Sequence, residues 1–360
     1  MHQGRVNRVL NSMKEQNLTQ MIISDSTTIF YLLGKRIHAG ERLLALYLNL
    51  EGNHKLIINE LFPQEKDLGV DMVWYNDVQD GVEILCKHVD KKQPIGIDKE
   101  WPSRFLLRLM DLGGGSKFLN GSFIVDYVRM IKDDEEQEFM RDVSKRNDQA
   151  MERLVPWVTK GLTEIGLAEK VKELQKEVGC DDISFSPITA YAKGAADPHH
   201  EPDNSLGKTG DCVVLDIGGT KNDYTSDMTR TVFIGEVSER AREIYDIVLE
   251  ANLRGIAAAK PGNKMSDVDR ASRSYIEEKG YGEFFTHRTG HSIGLECHEY
   301  GDVSLANDEI IKPGQCFSVE PGIYLPEEGI GIRIEDLVLT TEDGCEVLNH
   351  FTKELIVVPE

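Results

Sequence analysis

Two segments in the C-terminal half of the chain share the pattern that most constrains how it folds. Each segment predicts a pair of strands joined by a turn, with one acidic residue on either side of the turn. The two turns contain Gly, Pro, Asn and Asp, which reverse a strand. Two such hairpins facing each other would bring four carboxylates together, so the sequence predicts an internal duplication around an acidic centre. In chain order the acids and turns are Asp216, residues 218–223, Asp227, Glu320, residues 325–329 and Glu335.

His291 lies in the segment between the two hairpins and adds an imidazole to the four carboxylates. Carboxylates and imidazole are the ligands that hard or borderline divalent cations take. One acid at a strand end is usually a turn or cap residue, but four acids and a histidine in this order favour a metal site. Four carboxylates carry more negative charge than one divalent ion neutralises. Two ions that share bridging carboxylates and activate one water between them fit better, so the sequence predicts a dinuclear hydrolase.

The first third of the chain has the pattern of a small α/β domain. Apolar residues at helical spacing predict an amphipathic helix near residues 4–16, and a second helix is expected near residues 79–90. Short apolar runs between turn residues predict the strands. These strands are expected at residues 21–23, 43–48, 56–58 and 95–97.

A length of 360 residues makes two domains the expectation. The boundary is predicted near residues 128–131, which divides the chain into domains 1–129 and 130–360. The acidic run that follows, at residues 133–136, suits the first turn of a helix because carboxylates complement the helix dipole there. That helix is predicted to span residues 134–157.

Composition excludes several classes of partner. The formal charge of −21 argues against binding nucleic acid or an anionic membrane surface. No apolar run is long enough to span a bilayer, and the first residues lack the apolar region of a secretory signal. The six cysteines are scattered and form no C-x-x-C pair, which indicates a reduced, cytoplasmic setting.

Taken together, six motifs resemble the metallopeptidase family of prolidases, proline-specific aminopeptidases and methionine aminopeptidases, which share the pita-bread fold. The proline-specific branch matches best because it also carries an N-terminal domain. The resemblance implies an α/β (α+β) architecture. A small creatinase/prolidase-like domain at 1–129 precedes a pita-bread catalytic domain at 130–360 with a pseudo-twofold repeat. The motifs are PH at 198–199, LDIG at 215–218, SDMTRT at 226–231, HRTGH at 287–291, VEPG at 319–322 and RIED at 333–336.

The resemblance implies two divalent metal ions, with manganese favoured and cobalt or zinc as alternatives. By motif position Asp216 would bind one ion, Asp227 and Glu335 would bridge, and His291 and Glu320 would complete the other. The resemblance also implies a homodimer. Functional roles are implied for a further set of residues, His199, His287, His298, Tyr324 and Arg333.

Two side chains near the ligands have both a functional and an ordinary interpretation. Arg333 and Glu335 are two residues apart on a predicted strand and share a face, so Arg333 could orient Glu335 or hold substrate, or form an ordinary ion pair. Thr229 shares the face of Asp227 and could support a ligand through its hydroxyl, although β-propensity alone would also explain a threonine there. His38 and His200 have no assigned role.

Two departures from the family pattern concern the substrate pocket. Ser292 replaces the glycine that often follows the metal histidine. The segment at residues 189–194, which includes Tyr191 and Lys193, is bulkier than the small-residue run that the family often has. Neither departure replaces a predicted metal ligand.

The hypothesis for chemistry is hydrolysis of the bond before proline, a tertiary amide with no N–H to grip. A hydroxide bridging the metals would attack the carbonyl, and Glu320 would carry the proton to the proline nitrogen. His298 and His287 would stabilise the negative charge on oxygen, while His199 and Arg333 would hold the substrate.

Three functions fit these residues. The first is a dipeptidase that cuts Xaa-Pro, and the second is an aminopeptidase that removes Xaa from longer peptides with proline at the second position. The basic segment at residues 36–42 could cap a short substrate from a neighbouring subunit, which favours the dipeptidase. The third is a metal-free binding module or a creatinase-like enzyme on the same fold. Such proteins lack the metal ligands, whereas all five are present in this chain, which argues against this function.

Overall fold

The computed structural model describes residues 1–64 and 67–360. These residues form two compact units, Met1–Arg129 and Met130–Glu360. Each unit has its own β-sheet structure and hydrophobic core. Within the described ranges, no helix has both the length and the apolar character that crossing a bilayer requires.

The N-terminal unit is built on one six-stranded mixed sheet with the strand order β4-β3-β2-β1-β5-β6. Strands β1, β2 and β3 pair antiparallel, and the outer pairs are parallel. The strands are β1 Gln20–Ile23, β2 Ala45–Asn49, β3 Lys55–Asn59, β4 Asp71–Tyr75, β5 Pro94–Ile97 and β6 Lys117–Asn120. The helices are α1 Gln3–Glu15, α2 Ser26–Leu33, α3 Gly81–Leu85, α4 Ser103–Asp111 and α5 Ser122–Met130.

The helix predicted near residues 79–90 is much shorter than expected, because α3 ends at Leu85. The side chain of Gln20 explains the early end of the helix. Its amide nitrogen donates to the Asp90 carbonyl at 2.7 Å, and its amide oxygen accepts from the Asp90 backbone N–H at 2.9 Å. These two bonds hold the segment before β5 as a turn on the sheet.

The C-terminal unit combines four long helices with fourteen strands among its described residues. The helices are α6 Asp134–Leu154, α7 Glu164–Glu177, α8 Glu239–Ala258 and α9 Met265–Glu278, with short 3-10 helices at Val155–Thr159 and Gly282–Phe284. The strands are β7 Asp182–Ile183, β8 Ile188–Tyr191, β9 Cys212–Ile217, β10 Gly219–Lys221, β11 Tyr224–Thr225, β12 Met228–Ile234, β13 Gly290–Ser292, β14 Glu299–Val303, β15 Cys316–Val319, β16 Gly322–Leu325, β17 Ile330–Arg333, β18 Asp336–Thr340, β19 Cys345–Val347 and β20 Ile356–Val358.

Helix α6 begins where its acids predict and ends earlier than expected. Asp133 and Glu136 form a capping box at its start, in which each side chain accepts from the backbone N–H of the other. The α-helix ends at Leu154, and a 3-10 turn follows. Pro156 accounts for this end, because proline lacks an N–H and disfavours helical geometry in the residue before it.

The predicted duplication appears as two antiparallel strand pairs, β9 with β12 and β15 with β18. Each pair is connected through a second, smaller hairpin, β10–β11 in one half and β16–β17 in the other, where the sequence predicted only a turn. The extra hairpins leave the four acids at equivalent places. Asp216 is the second-to-last residue of β9, and Asp227 directly precedes β12. Glu320 directly follows β15, and Glu335 directly precedes β18.

Strand alternation explains why these acids face one another. Val213 and Leu215 of β9 pack in the core with helices α6 and α7, whereas Val214 packs on the other side with α8 and with the β16–β17 hairpin. Asp216 lies on the same face as Val214, because alternate residues of a strand point the same way. The carboxylate therefore points toward the second half of the unit.

Candidate metal centre

All five predicted metal ligands line one cavity of about 370 Å³ in the C-terminal unit. This volume is near the lower end of the range for small-molecule sites. The other lining residues are Phe185, Ile188, Pro198, His199, His287, Arg288, Cys297, His298 and Arg333.

The ligand atoms lie close enough to share ions. The Nε2 atom of His291 is 3.7 Å from Oδ2 of Asp227 and 3.5 Å from Oε1 of Glu320. Ligand atoms of Asp227, His291 and Glu335 all lie within 4.8 Å of one another. Asp216 joins the same cavity from β9.

Three carboxylate oxygens in this cluster are buried and have no hydrogen-bond partner among the described residues. They are Oδ1 of Asp216, Oδ1 of Asp227 and Oε1 of Glu335. Leaving a buried acceptor unsatisfied costs about 1–3 kcal/mol, and more for a charged group. A divalent cation would satisfy all three, so the residues present fit a metal centre.

Protonation supports the same conclusion. Burial first, and then repulsion from the neighbouring carboxylates, raise the pKa of Asp227 and Glu335 well above the ordinary range. Burial also raises the pKa of Glu320 to about 7. Burial lowers the pKa of His291 to about 3, so its imidazole is neutral and able to ligate. The cluster holds protons that a metal ion would displace.

Arg333 is committed to the support of this cluster. Its guanidinium is buried and donates to Oδ2 of Asp216 at 2.7 Å and to the Tyr324 hydroxyl at 2.9 Å. Its Nε donates to Oγ1 of Thr229 at 3.1 Å, and Thr229 in turn donates to Oε2 of Glu335 at 2.8 Å. Arg333 therefore orients Asp216 directly and Glu335 through Thr229. The prediction that Arg333 and Glu335 share one face of a strand is wrong, because strand β17 ends at Arg333 and Glu335 lies beyond it.

His287 has a different geometry from that of an oxyanion donor. Its Nδ1 lies 2.7 Å from the Arg288 carbonyl oxygen, which can only accept, so Nδ1 carries a proton. Burial, with a smaller effect from Arg333, lowers the pKa of His287 to about 4. The neutral ring therefore accepts at Nε2 from the Tyr324 hydroxyl at 2.9 Å. His287 orients Tyr324, whereas His298 is exposed and lines the cavity.

The remaining histidines lie in three different environments. His199 is exposed and lines the cavity. His200 turns away and bonds Oε2 of the buried Glu164 at 2.6 Å. His38 is an exposed residue of the N-terminal unit.

The two departures from the family pattern do not reach the cavity wall. Ser292 is buried in β13 and is absent from the lining residues. Tyr191 packs in the core beside α7, and Lys193 lines a separate cavity.

Sequence patterns missed several lining residues. Arg288 lies inside the 287–291 motif, and its exposed side chain lines the cavity. Cys297 directly precedes His298, and its thiol donates to Oδ2 of Asp227 at 3.3 Å. Phe185 and Ile188 form an apolar part of the wall. Adjacency to a predicted site residue was the only available signal for Arg288 and Cys297.

Comparison with known families identifies the class of protein. The profile described as metallopeptidase family M24 matches residues 138–342, and the profile of the creatinase/prolidase N-terminal domain matches residues 5–131. The chain belongs to metallopeptidase family M24, and it has the two-part architecture of a pita-bread prolidase. The predicted resemblance, fold class and metallopeptidase activity are confirmed.

Individual relatives extend this result over nearly the whole chain. An uncharacterized peptidase of Staphylococcus aureus (strain USA300) is 32% identical over 355 residues, which cover 97% of this chain and 99% of that protein. The crystal structure of a dipeptidase from Pyrococcus horikoshii OT3 has 34% identity and a TM-score of 0.91, covering 98% of this chain and 100% of that one. A recombinant prolidase from Thermococcus sibiricus has 30% identity and a TM-score of 0.92, covering 99% of each chain. Structures of an Xaa-Pro dipeptidase and an X-Pro aminopeptidase are also similar.

Proposed function

We propose that this chain is a dinuclear Xaa-Pro dipeptidase. The observation that carries the proposal is the buried cluster of four carboxylates and one imidazole, three of whose oxygens have no protein partner in the described chain. Similar structures that bear the names dipeptidase and prolidase support the substrate class.

Each ligand has a proposed place in the centre. Asp216, Asp227, His291, Glu320 and Glu335 would together hold two divalent ions, with the places that their motif positions imply. When bound, the ions supply a water of lowered pKa and polarise the scissile carbonyl. Oxygen and imidazole donors suit manganese, with cobalt or zinc as alternatives.

Glu320 is the proposed proton carrier. Ser318 donates to its Oε1 at 3.1 Å, which fixes the carboxylate beside His291. Its carboxylate lines the cavity, where it can take a proton from the attacking water and release it to the proline nitrogen. The leaving nitrogen needs that proton because it has none of its own in the tertiary amide.

Other wall residues bind the substrate. Phe185 and Ile188 offer apolar surface for the proline ring, and His199 and His298 offer imidazole nitrogens to the peptide. Arg288 is the proposed reader of the substrate carboxylate. Arg333 was the earlier candidate for that contact, but its guanidinium is bound to Asp216.

An aminopeptidase acting on longer Xaa-Pro peptides is the second candidate, because the same centre serves both reactions and a similar structure bears the name X-Pro aminopeptidase. A cation at the cavity wall favours the dipeptidase, since a dipeptide ends in a carboxylate next to proline. We further propose a cytoplasmic homodimer in which residues 36–42 of one subunit limit substrate length in the other. Arg42 in that segment is bidentate to Asp77, which fixes its position within the N-terminal unit.

The test is the Glu320→Gln variant. It keeps the shape of the side chain and removes the proton acceptor, so turnover of Ala-Pro should fall to near background while circular dichroism stays unchanged. The control is Glu328→Gln, which alters an exposed ion pair with Arg240 and should retain full turnover. Normal turnover in Glu320→Gln would refute the role of Glu320.

A further inference from the structure

Cys297 lies inside the proposed metal centre, although it is not among the predicted ligands. Its Sγ is 3.3 Å from Oδ2 of Asp227, and that same oxygen is 3.7 Å from Nε2 of His291. Donor atoms of His291, Cys297 and His298 all lie within 4.8 Å of one another. The sulfur therefore stands on the side of Asp227 that faces the imidazole.

The spacing of these atoms matches the spacing of ligands on one ion. Two donors that bind one ion at about 2.0–2.3 Å lie no more than about 4.6 Å apart. The observed separations are 3.3 Å for sulfur to Asp227, 3.7 Å for His291 to Asp227 and 3.5 Å for His291 to Glu320. All three are shorter than that limit.

A second observation concerns the same carboxylate group. Asp227 is 4% exposed, and its other oxygen, Oδ1, is buried and has no hydrogen-bond partner among the described residues. A neutral thiol satisfies only Oδ2 of this carboxylate. An ion bound by the Asp227 carboxylate and by His291 would satisfy the unpaired oxygen and have the sulfur within reach as a further donor.

We propose that Cys297 is a sulfur ligand of the ion held by His291 and Asp227. This inference rests on the proposed metal centre and deepens it. When the sulfur–metal bond forms, the S–H bond breaks and its proton passes to the solvent. The ion near Asp216 keeps oxygen donors, whereas a sulfur donor shifts the second position toward cobalt or zinc and away from manganese.

Absorption spectroscopy of the cobalt-loaded protein tests the bond without using activity. Co²⁺ with a thiolate ligand has a sulfur-to-metal charge-transfer band in the near ultraviolet. The full chain and Cys345→Ser should both show this band, and Cys297→Ser should lose it. Cys345 is the matched control because it is also partly exposed and its sulfur approaches the Ile256 carbonyl oxygen at 3.5 Å. A band that persists in Cys297→Ser would overturn the assignment.

X-ray absorption at the zinc edge keeps the test independent of whether the variant folds. The zinc-loaded, unsubstituted protein should show a sulfur scatterer at about 2.3 Å. A shell of nitrogen and oxygen alone would overturn the proposal and leave Cys297 as a hydrogen-bond donor to Asp227. The zinc-to-manganese affinity ratio should also fall roughly tenfold or more in Cys297→Ser; an unchanged ratio would contradict sulfur ligation.

Metal counting separates this inference from the proposed function. If the unsubstituted protein binds two ions per chain but shows no sulfur ligand, only the inference on Cys297 fails. If it binds no ion from millimolar Co²⁺ or Zn²⁺, both the inference and the dinuclear function fail.

Discussion

Thr229 offers a sharp test of how the protein holds its metal ligands. The side chain is fully buried, and its hydroxyl lies between the Arg333 guanidinium and the Glu335 carboxyl group. It accepts from Nε of Arg333 at 3.1 Å and donates to Oε2 of Glu335 at 2.8 Å. Thr229→Val keeps the shape and removes the hydroxyl, so both bonds are lost and the Arg333 N–H is left buried without its acceptor.

The expected loss follows from the two bonds. The bond to the Arg333 cation contributes about 1.5–3 kcal/mol, and the bond to the protonated Glu335 of the metal-free protein contributes about 0.5–1.5 kcal/mol, which together set a range of about 2–4.5 kcal/mol. Arg333 keeps its bonds to Asp216 and Tyr324, so we expect a destabilisation inside that range, about 3 kcal/mol. For a unit of this size that corresponds to a fall in Tm of about 6–12 °C. Loss of a group that orients a ligand should also weaken metal binding by about 10–100-fold.

Denaturant unfolding of the metal-free protein and calorimetric titration with Mn²⁺ measure the two effects. Thr229→Ser is the matched control, since it keeps the hydroxyl and loses one methyl group, which should cost about 1 kcal/mol. If Thr229→Val matched the control in stability and in manganese affinity, the threonine would be explained by β-propensity alone and the supporting role would be refuted.

Three further predictions test charge, substrate binding and packing. Burial, followed by carboxylate repulsion, raises the pKa of Asp227 and Glu335, so the metal-free folded state binds protons that the unfolded chain releases. The free energy of unfolding of the metal-free protein should therefore fall as pH rises above about 4. Binding of Mn²⁺ at pH 7 should release protons, which calorimetric titration in buffers of different ionisation enthalpy measures. Binding without proton release would contradict the raised pKa values. Arg288→Gln should raise KM for Ala-Pro by about tenfold or more with less effect on an amidated Ala-Pro, and equal effects on both would exclude carboxylate recognition. Gly331→Ala should destabilise the catalytic unit by about 3 kcal/mol or more in denaturant unfolding, because the added Cβ would lie 1.8 Å from the Ala195 carbonyl oxygen; wild-type stability would show that the loop moves freely.

Local sequence patterns predicted much of the fold and the centre of the site. The four acidic residues could be recognised in the sequence because each lies next to a segment of turn residues. They are Asp216, Asp227, Glu320 and Glu335. The smaller hairpins inside those turns were not predicted, since β10 and β11 contain only three and two residues. Strands that short are set by their neighbours in space rather than by their own periodicity.

Long-range contacts account for the other differences. Gln20 ends the helix near residue 85 through bonds to a segment 70 residues away, and no local pattern reports such a contact. The sequence left Arg333 available as a candidate for substrate binding, because its hydrogen-bond partner Asp216 lies 117 residues away and the contact between them cannot be read from the local sequence. Whether a charged side chain is free to bind substrate depends on its contacts in the folded protein, so the structure is needed to assign such a role.

Product analysis after manganese loading tests whether the chain is a dinuclear Xaa-Pro dipeptidase. The substrates are an Ala-Pro dipeptide and an Ala-Pro-Xaa tripeptide, with a metal count on the same sample. We expect two bound ions and cleavage of the dipeptide in strong preference to the tripeptide. Preference for the tripeptide would establish the aminopeptidase instead, and failure to cleave either substrate in a sample with no bound metal would contradict the dinuclear peptidase altogether.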